Sequence, residues 1–373
     1  MGHAYTPGLK VIGRMKVRRS RMLPIPGELR VKQGDQVKAT DIVASTQLPG
    51  RVHSVNVANR LGIDADELPI YMNKKEGEKI WAEEALAENK PFISWFKTTI
   101  PSPITGSVEA ISKITGQVLM REPPKDLNLT AYLDGRVVEV MPKSGVVIET
   151  EGSFIQGIFG VGGETQGDLA VAVESPEEEL LPEFITEEHK GKIVVGGAHA
   201  GWDTFQKAKS MGVSALVVGG IHDKDLRALL GYDIGVAVTG TEQLGFTLIV
   251  TEGFGTIPMA KHTFQLLLKR KGHFASASGA TQIRAGVMRP EIIIPGIIEG
   301  FEGAAEGQRG ALQVGEPVRI IREPHFGSIG QVSDLPQELT KVGTESKVRV
   351  LEVTLEGGEK LIVPRANIEI LER

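Results

Sequence analysis

The sequence contains no cysteine. That one absence excludes disulfides, iron–sulfur ligation, thiolate zinc sites and thiol nucleophiles. Aromatic residues make up only 5% of the chain, against 45 glycines and 20 prolines in 373 residues, a balance that predicts many turns and short strands rather than long helices. No apolar run reaches the roughly twenty residues of a membrane-spanning helix, and the start Met1-Gly2-His3-Ala4-Tyr5 carries no signal-peptide core. The expectation is a cytoplasmic protein with no membrane partner. Neither sign of charge dominates, with 42 Lys and Arg against 47 Asp and Glu for a net of -5, so nothing global calls for nucleic acid or an anionic surface. What is present is globular in composition, and the length suits roughly two to four domains.

Charge is uneven locally. The first 27 residues hold six basic side chains (Lys10, Arg14, Lys16, Arg18, Arg19, Arg21) and no acidic one. Residues 1–22 read as a basic N-terminal arm, able to meet phosphates or another subunit. Residues 174–190 read as an acidic linker, since seven glutamates and no Lys or Arg fall within 174–188.

Between these lies a repeat. Lys32-Gln33-Gly34-Asp35-Gln36-Val37 through Ala44 aligns without a gap to Lys75-Glu76-Gly77-Glu78-Lys79-Ile80 through Ala87, and Gly-x-Val turns recur at Gly50, Gly106 and Gly135. Alternating short strands joined at glycines follow from this pattern, although helix formers over 76–89 leave a helix as the competing reading. The motif resembles the barrel-sandwich hybrid of biotinyl and lipoyl domains, and the amino-terminal domain of the Rnf complex C subunit. The resemblance covers about residues 23–150 and implies a β-rich region, taken here as 23–173. It does not imply a carrier: the first copy has no lysine between its two elements, and Lys97 in the second lies too close to Gly106. No covalent biotin or lipoyl group, and no iron–sulfur cofactor, is expected; any other cofactor is unknown.

The stretch GIFGVGGETQG, residues 157–167, looks like a phosphate loop but is followed by the alternating Asp168–Glu174, with no helix. A phosphate loop needs the N–H groups of a helix start, so a glycine-rich connection or a close backbone contact is the favoured reading. From 191 to 296 the period changes. Strands at 192–197, 214–220, 234–238 and 246–251 alternate with helices at 202–211, 223–230 and 258–271, which predicts a parallel, Rossmann-like α/β domain.

Ligands bind such sheets beyond the carboxyl ends of the strands. The candidate ligand-binding residues are therefore Gly196, Gly197, Gly219, Gly220, Glu252, Gly253, Gly255 and Thr256, of which Glu252–Thr256 is the best phosphate candidate because a helix follows. Tight turns explain the same double glycines. His199, His222, Asp223 and Glu252 would form an acid–base or metal cluster only if the sheet order joined them; helix capping and exposed histidines are the plainer reading, and neither a metal nor a catalytic residue is assigned.

Residues 318–332 (VRIIREPHFGSIGQV), with strands at 348–355 and 360–364, resemble the KOW motif, a small barrel that in its family contacts RNA or protein. Residues 312–373 are assigned to it. Eight Lys or Arg against ten Asp or Glu over 315–373 leave Arg319, Arg322, Lys347 and Arg349 as the one basic cluster there, and make protein the favoured partner over nucleic acid. The whole reads as a mixed, multidomain chain: barrel-sandwich repeats, a central parallel α/β domain and a KOW/SH3-like barrel. Its expected function is a non-catalytic scaffold that self-assembles into a homo-oligomer through β modules. The alternatives are a transcription- or ribosome-associated adaptor, and an enzyme that binds a nucleotide or phosphorylated metabolite at the α/β domain.

Overall fold

The computed structural model describes residues 9–89, 98–231, 242, 244–281, 288–298, 312–322, 325, 327–336, 339–341, 347–355 and 357–370. The expected strand at 234–238 and Lys97 lie outside these residues. The described chain is mostly β, arranged in several sheets of which none closes into a barrel.

One docking device builds much of it. In the first repeat Gly34 takes a left-handed φ of 97°, and the Asp35 carboxylate accepts the Lys32 N–H at 2.8 Å, closing the turn. The turn then docks edge-on against a distant strand, with Gly34 N–H donating to Val137 O (2.8 Å) and Val137 N–H to Asp35 O (2.9 Å). The second repeat does the same: Glu78 accepts from Lys75 N–H at 2.9 Å, and Gly77 and Glu78 bracket Val108 at 2.8 and 2.9 Å. A third copy, not evident in the sequence pattern, sits at Gln313-Val314-Gly315-Glu316. Glu316 accepts from Gln313 N–H at 2.9 Å, and Gly315 and Glu316 bracket Val332 at 2.8 and 3.0 Å.

Each receiving valine belongs to a Gly-x-Val triplet whose glycine admits no side chain. A Cβ on Gly135, Gly106 or Gly330 would stand 2.3, 2.0 or 2.5 Å from the carbonyl oxygen of Glu149, Arg121 or Thr354. The glycines are thus a steric requirement of strands crossing closely. The competing helix over 76–89 is absent: strands Lys79–Ile80 and Ala85–Glu88 occupy it.

The largest sheet has thirteen strands. Its parallel half runs Glu164–Val171, Ile193–Val195, Ala215–Ile221, Thr247–Phe254, with Phe159–Val161 antiparallel at the edge. Its antiparallel half runs from Glu164–Val171 through Phe274–Ser278 and Glu291–Pro295 to Gly145–Gln156, which also pairs with Val11–Met22. Helices Trp202–Met211, Asp223–Leu230 and Lys261–Lys269 fall where expected. Gly212 and Gly231 end the first two in the left-handed conformation, satisfying the terminal carbonyls. Phe205, Leu226, Phe264 and Leu267 bury the inner helix faces on one apolar core with the strand valines. The Gly157–Gly167 stretch is a strand, a turn at Gly162-Gly163 and the start of the next strand. A Cβ on Gly160 or Gly162 would meet the carbonyl oxygen of Gly279 or Phe246 at 2.8 or 2.4 Å.

Two segments differ from the sequence expectation. Residues 11–22 are not an arm but a twelve-residue strand along Gly145–Gln156. Its four arginines are met by distant glutamates: Arg14–Glu151, Arg18–Glu149, Arg19–Glu291 and Arg21–Glu164. The acidic segment 174–190 is not a free linker either. Glu179–Leu180 is a strand parallel to His199–Ala200, followed by single 3-10 turns at Pro182–Phe184 and Glu187–His189.

Tyr132 joins the two halves of the antiparallel region. It is buried at a strained φ of 68°, its carbonyl accepts from the Ser276 hydroxyl, and the Arg21 guanidinium lies 5.4 Å from its ring centre. Burial pushes the phenol well above its usual value, and nearby Glu291 and Glu164 push it further. The fold therefore binds the phenolic proton more tightly than the unfolded chain. Stability from this group is complete below about pH 10 and lost as pH rises beyond it. Tyr132→Phe is expected to flatten the alkaline fall in Tm between neutral pH and about pH 11. An unchanged profile would show that the phenol is not the titrating group. Gly106→Ala should cost about 3 kcal/mol or more, the upper end of overpacking. Gly77→Ala, with nothing within 4 Å of the added Cβ, should cost about 1 kcal/mol of left-handed strain. Denaturant titration of the two variants checks the difference.

Candidate functional site

At the carboxyl ends of the parallel strands, main chains press on one another. Gly219 N–H donates to Gly197 O at 2.7 Å and Gly220 N–H to Ala198 O at 2.8 Å. A Cβ on Gly197, Gly219 or Gly220 would stand 2.2, 2.2 or 2.1 Å from the carbonyl oxygen of Glu178, Ile257 or Gly255. A Cβ on Gly196 would meet the Leu180 side chain at 2.8 Å. The double glycines therefore serve close packing against neighbouring protein.

The main chain is equally crowded at the expected phosphate loop. Gly253 lies against Gly327, whose carbonyl oxygen would be 2.6 Å from an added Cβ, and Gly255 has φ 118°. At the start of the following helix the Glu252 carboxylate accepts the N–H of its N-cap residue, Ala260, at 3.0 Å. An anion of the chain's own already occupies that helix start.

This packing brings a polar cluster together. Strand pairing sets His199 directly beside Glu179 on one neighbour and Gly220 on the other. His199 Nδ1 is 2.8 Å from Glu179 Oε1. The His222 ring meets the His199 ring edge-on, with centroids 4.6 Å apart, and the 255–259 segment lying over Gly219 and Gly220 brings Thr256 Oγ1 to 3.0 Å from His222 Nε2. Asp225, in the first turn of its helix, accepts the Trp202 N–H through Oδ1 at 3.3 Å. Its Oδ2 stands 3.6 Å from His199 Nε2, too far for a hydrogen bond.

His199 is 5% exposed and Asp225 8%. The Glu179 side chain is 51% exposed and forms the open side of the cluster. With Nδ1 donating to the Glu179 carboxylate, the neutral tautomer of the ring would present Nε2 as an acceptor. Nε2 is buried and has no hydrogen-bond partner. An orphaned buried nitrogen on an oriented imidazole is the arrangement of a proton-exchanging group.

Of the four residues that the sequence suggested for an acid–base cluster, the structure joins His199 and His222. Asp223 instead pairs with Arg227 at 2.8 Å on the surface, and Glu252 turns away to Arg319. Glu179 and Asp225 take their places. Among the described residues no group of three or more His, Asp or Glu is arranged to hold a metal ion.

The C-terminal basic cluster also separates. Arg319 is 1% exposed; its guanidinium lies 2.8 Å from Glu252 and 3.3 Å from Glu369, and Arg289 meets Glu369 at 3.0 Å. Arg319 thus joins the small C-terminal sheet to the parallel sheet and is inaccessible to a partner. Arg349 is exposed, Arg322 half-buried, and Lys347 begins the strand Lys347–Leu355. On the N-terminal strand Arg14, Lys16 and Arg18 are exposed, Arg19 is half-buried and Arg21 buried. A cleft of 490 Å³ lined by Lys38, Asp41, Asp134, Arg136, Glu149 and Glu151, among others, lies elsewhere. Its charges are committed to one another and to neighbouring arginines, as in Lys38–Asp134 at 2.9 Å and Arg18–Glu149 at 2.6 Å.

The chain matches no protein-family model and no curated protein. Arg319→Met should destabilise by about 3–5 kcal/mol, because it removes the buried cation between two carboxylates, leaving Glu252 without an ion-pair partner among the described residues and Glu369 with Arg289. Arg14→Ala, at an exposed pair, should change stability by less than about 1 kcal/mol. Chemical denaturation distinguishes the two, and equal effects would contradict the assignment of Arg319 as the inter-sheet anchor.

Proposed function

We propose that this chain binds a small polar ligand at the carboxyl ends of its parallel strands, and that Glu179, His199 and Asp225 exchange a proton with it. One observation carries the reading: the orphaned Nε2 of buried His199, oriented from behind by Glu179. A polar atom buried without a partner costs about 1–3 kcal/mol, and folds keep such arrangements mainly at functional sites. His222 and Thr256 line the same place. The glycines that suggested a nucleotide or phosphorylated metabolite are backed by protein main chain, which favours a ligand without a phosphate.

The finer fold assignment belongs to the same proposal. Residues 23–173 are read as barrel-sandwich modules, 191–296 as a Rossmann-like unit and 312–373 as a KOW-like sheet, supported by the docked turns that the first and last regions share. Self-association through the β modules is the second reading, favoured by exposed Ile70, Trp81 and Ile114 at 76%, 65% and 92%. The adaptor reading has less support, because the N-terminal arginines are matched by glutamates.

Asp225→Asn tests the site without a ligand in hand. The amide would give Nε2 a donor while keeping an acceptor for Trp202 N–H, so Tm is expected to rise, as when a functional site is relaxed. A fall in Tm would mean that the cluster is an ordinary structural ion triad.

A further inference from the structure

We propose that the ligand of this site is an organic ammonium, recognised by the bare nitrogen of His199 and the Asp225 carboxylate beside it, with Glu179 orienting the ring from the opposite nitrogen. The inference rests on the site proposed above and adds its chemistry. Among the described residues Glu179 and Asp225 have no Lys or Arg at ion-pair distance, and both face the single ring of His199. Two anions therefore share one imidazole. On the same helix Arg227 is paired with Asp223. Only part of this charge is offset by the helix start and the Trp202 N–H that Asp225 accepts.

The unmet capacity is for donors. His199 Nε2 accepts nothing, and the oxygen of Asp225 that faces it stands 3.6 Å away, with no proton donor between. The second oxygen of Glu179 faces outward with half of that side chain exposed. An ammonium carries donors and no acceptor, so it can donate to Nε2 and to the Asp225 oxygen on that side of the ring, while Glu179 stays at Nδ1. A phosphate or carboxylate would bring acceptors to acceptors and a third negative charge to two. The side chain that decides the matter is His199, 93% buried, since surface acids alone would bind any counter-ion.

Thermal unfolding and histidine-ring NMR of the full chain test the assignment, with ethanolamine and propylammonium as probes, against inorganic phosphate, acetate and sodium chloride at equal ionic strength. The expected result is a Tm rise of roughly 3 °C with the ammonium probes, accompanied by ring shifts at His199 and His222. Both effects should be lost in Asp225→Asn and Glu179→Gln and kept in Glu83→Gln, a distant exposed acid. Phosphate or acetate acting at the same rings in place of the ammonium would overturn the ligand class and leave the site standing. Ammonium effects that survive Asp225→Asn and Glu179→Gln would reduce it to surface counter-ion binding. No response of either ring to any probe would overturn the ammonium class, and with a fall in Tm for Asp225→Asn it would remove the site as well.

Discussion

Main chains that cross where no Cβ fits are the constraint on which this structure depends. The receiving strands at Gly106, Gly135 and Gly330 accept docked turns because a neighbouring carbonyl lies within 2.5 Å of where a Cβ would stand. The same requirement at Gly197, Gly219 and Gly220 lets the 175–180 and 255–259 segments lie on the strand ends. A high glycine content is therefore spent on close packing, and the side chains that matter chemically are the few carried in by the segments so packed.

The candidate site follows from that packing. Glu179 reaches His199 because its two-residue strand pairs in register with His199–Ala200. Thr256 reaches His222 because its segment is pressed onto Gly219 and Gly220. The C-terminal sheet belongs to the same construction: Ile321 packs into the main core, Arg319 is held by Glu252 at the end of the neighbouring strand, and Gly327 lies against Gly253. Three distant stretches of chain thereby support a cluster of five side chains.

Local signals were legible in the sequence and long-range ones were not. Helices 202–211 and 223–230 could be read from their local apolar spacing. The turn repeat was legible at 32 and 75 but not at 313, where proline and an apolar residue replace the polar spacing around Gly315-Glu316. The basic strand looked like an arm because its glutamate partners lie more than a hundred residues away. Glu179 was hidden in an acidic run that composition alone describes as solvated, and Asp225 looked like an ordinary first-turn helix acid. His199 and His222 were visible as letters, but only the parallel pairing of 199–200 with 215–221 makes them neighbours.

The central claim is that His199 is held with its proton on Nδ1, against Glu179, and with Nε2 bare. Nitrogen-15 NMR of the histidine rings in the ligand-free protein tests this most directly. The account predicts a protonated Nδ1 and a pyridine-like, unprotonated Nε2 for His199. A proton found on Nε2, shared with Asp225, would contradict it and make the cluster a closed structural ion pair with no acceptor left for a ligand.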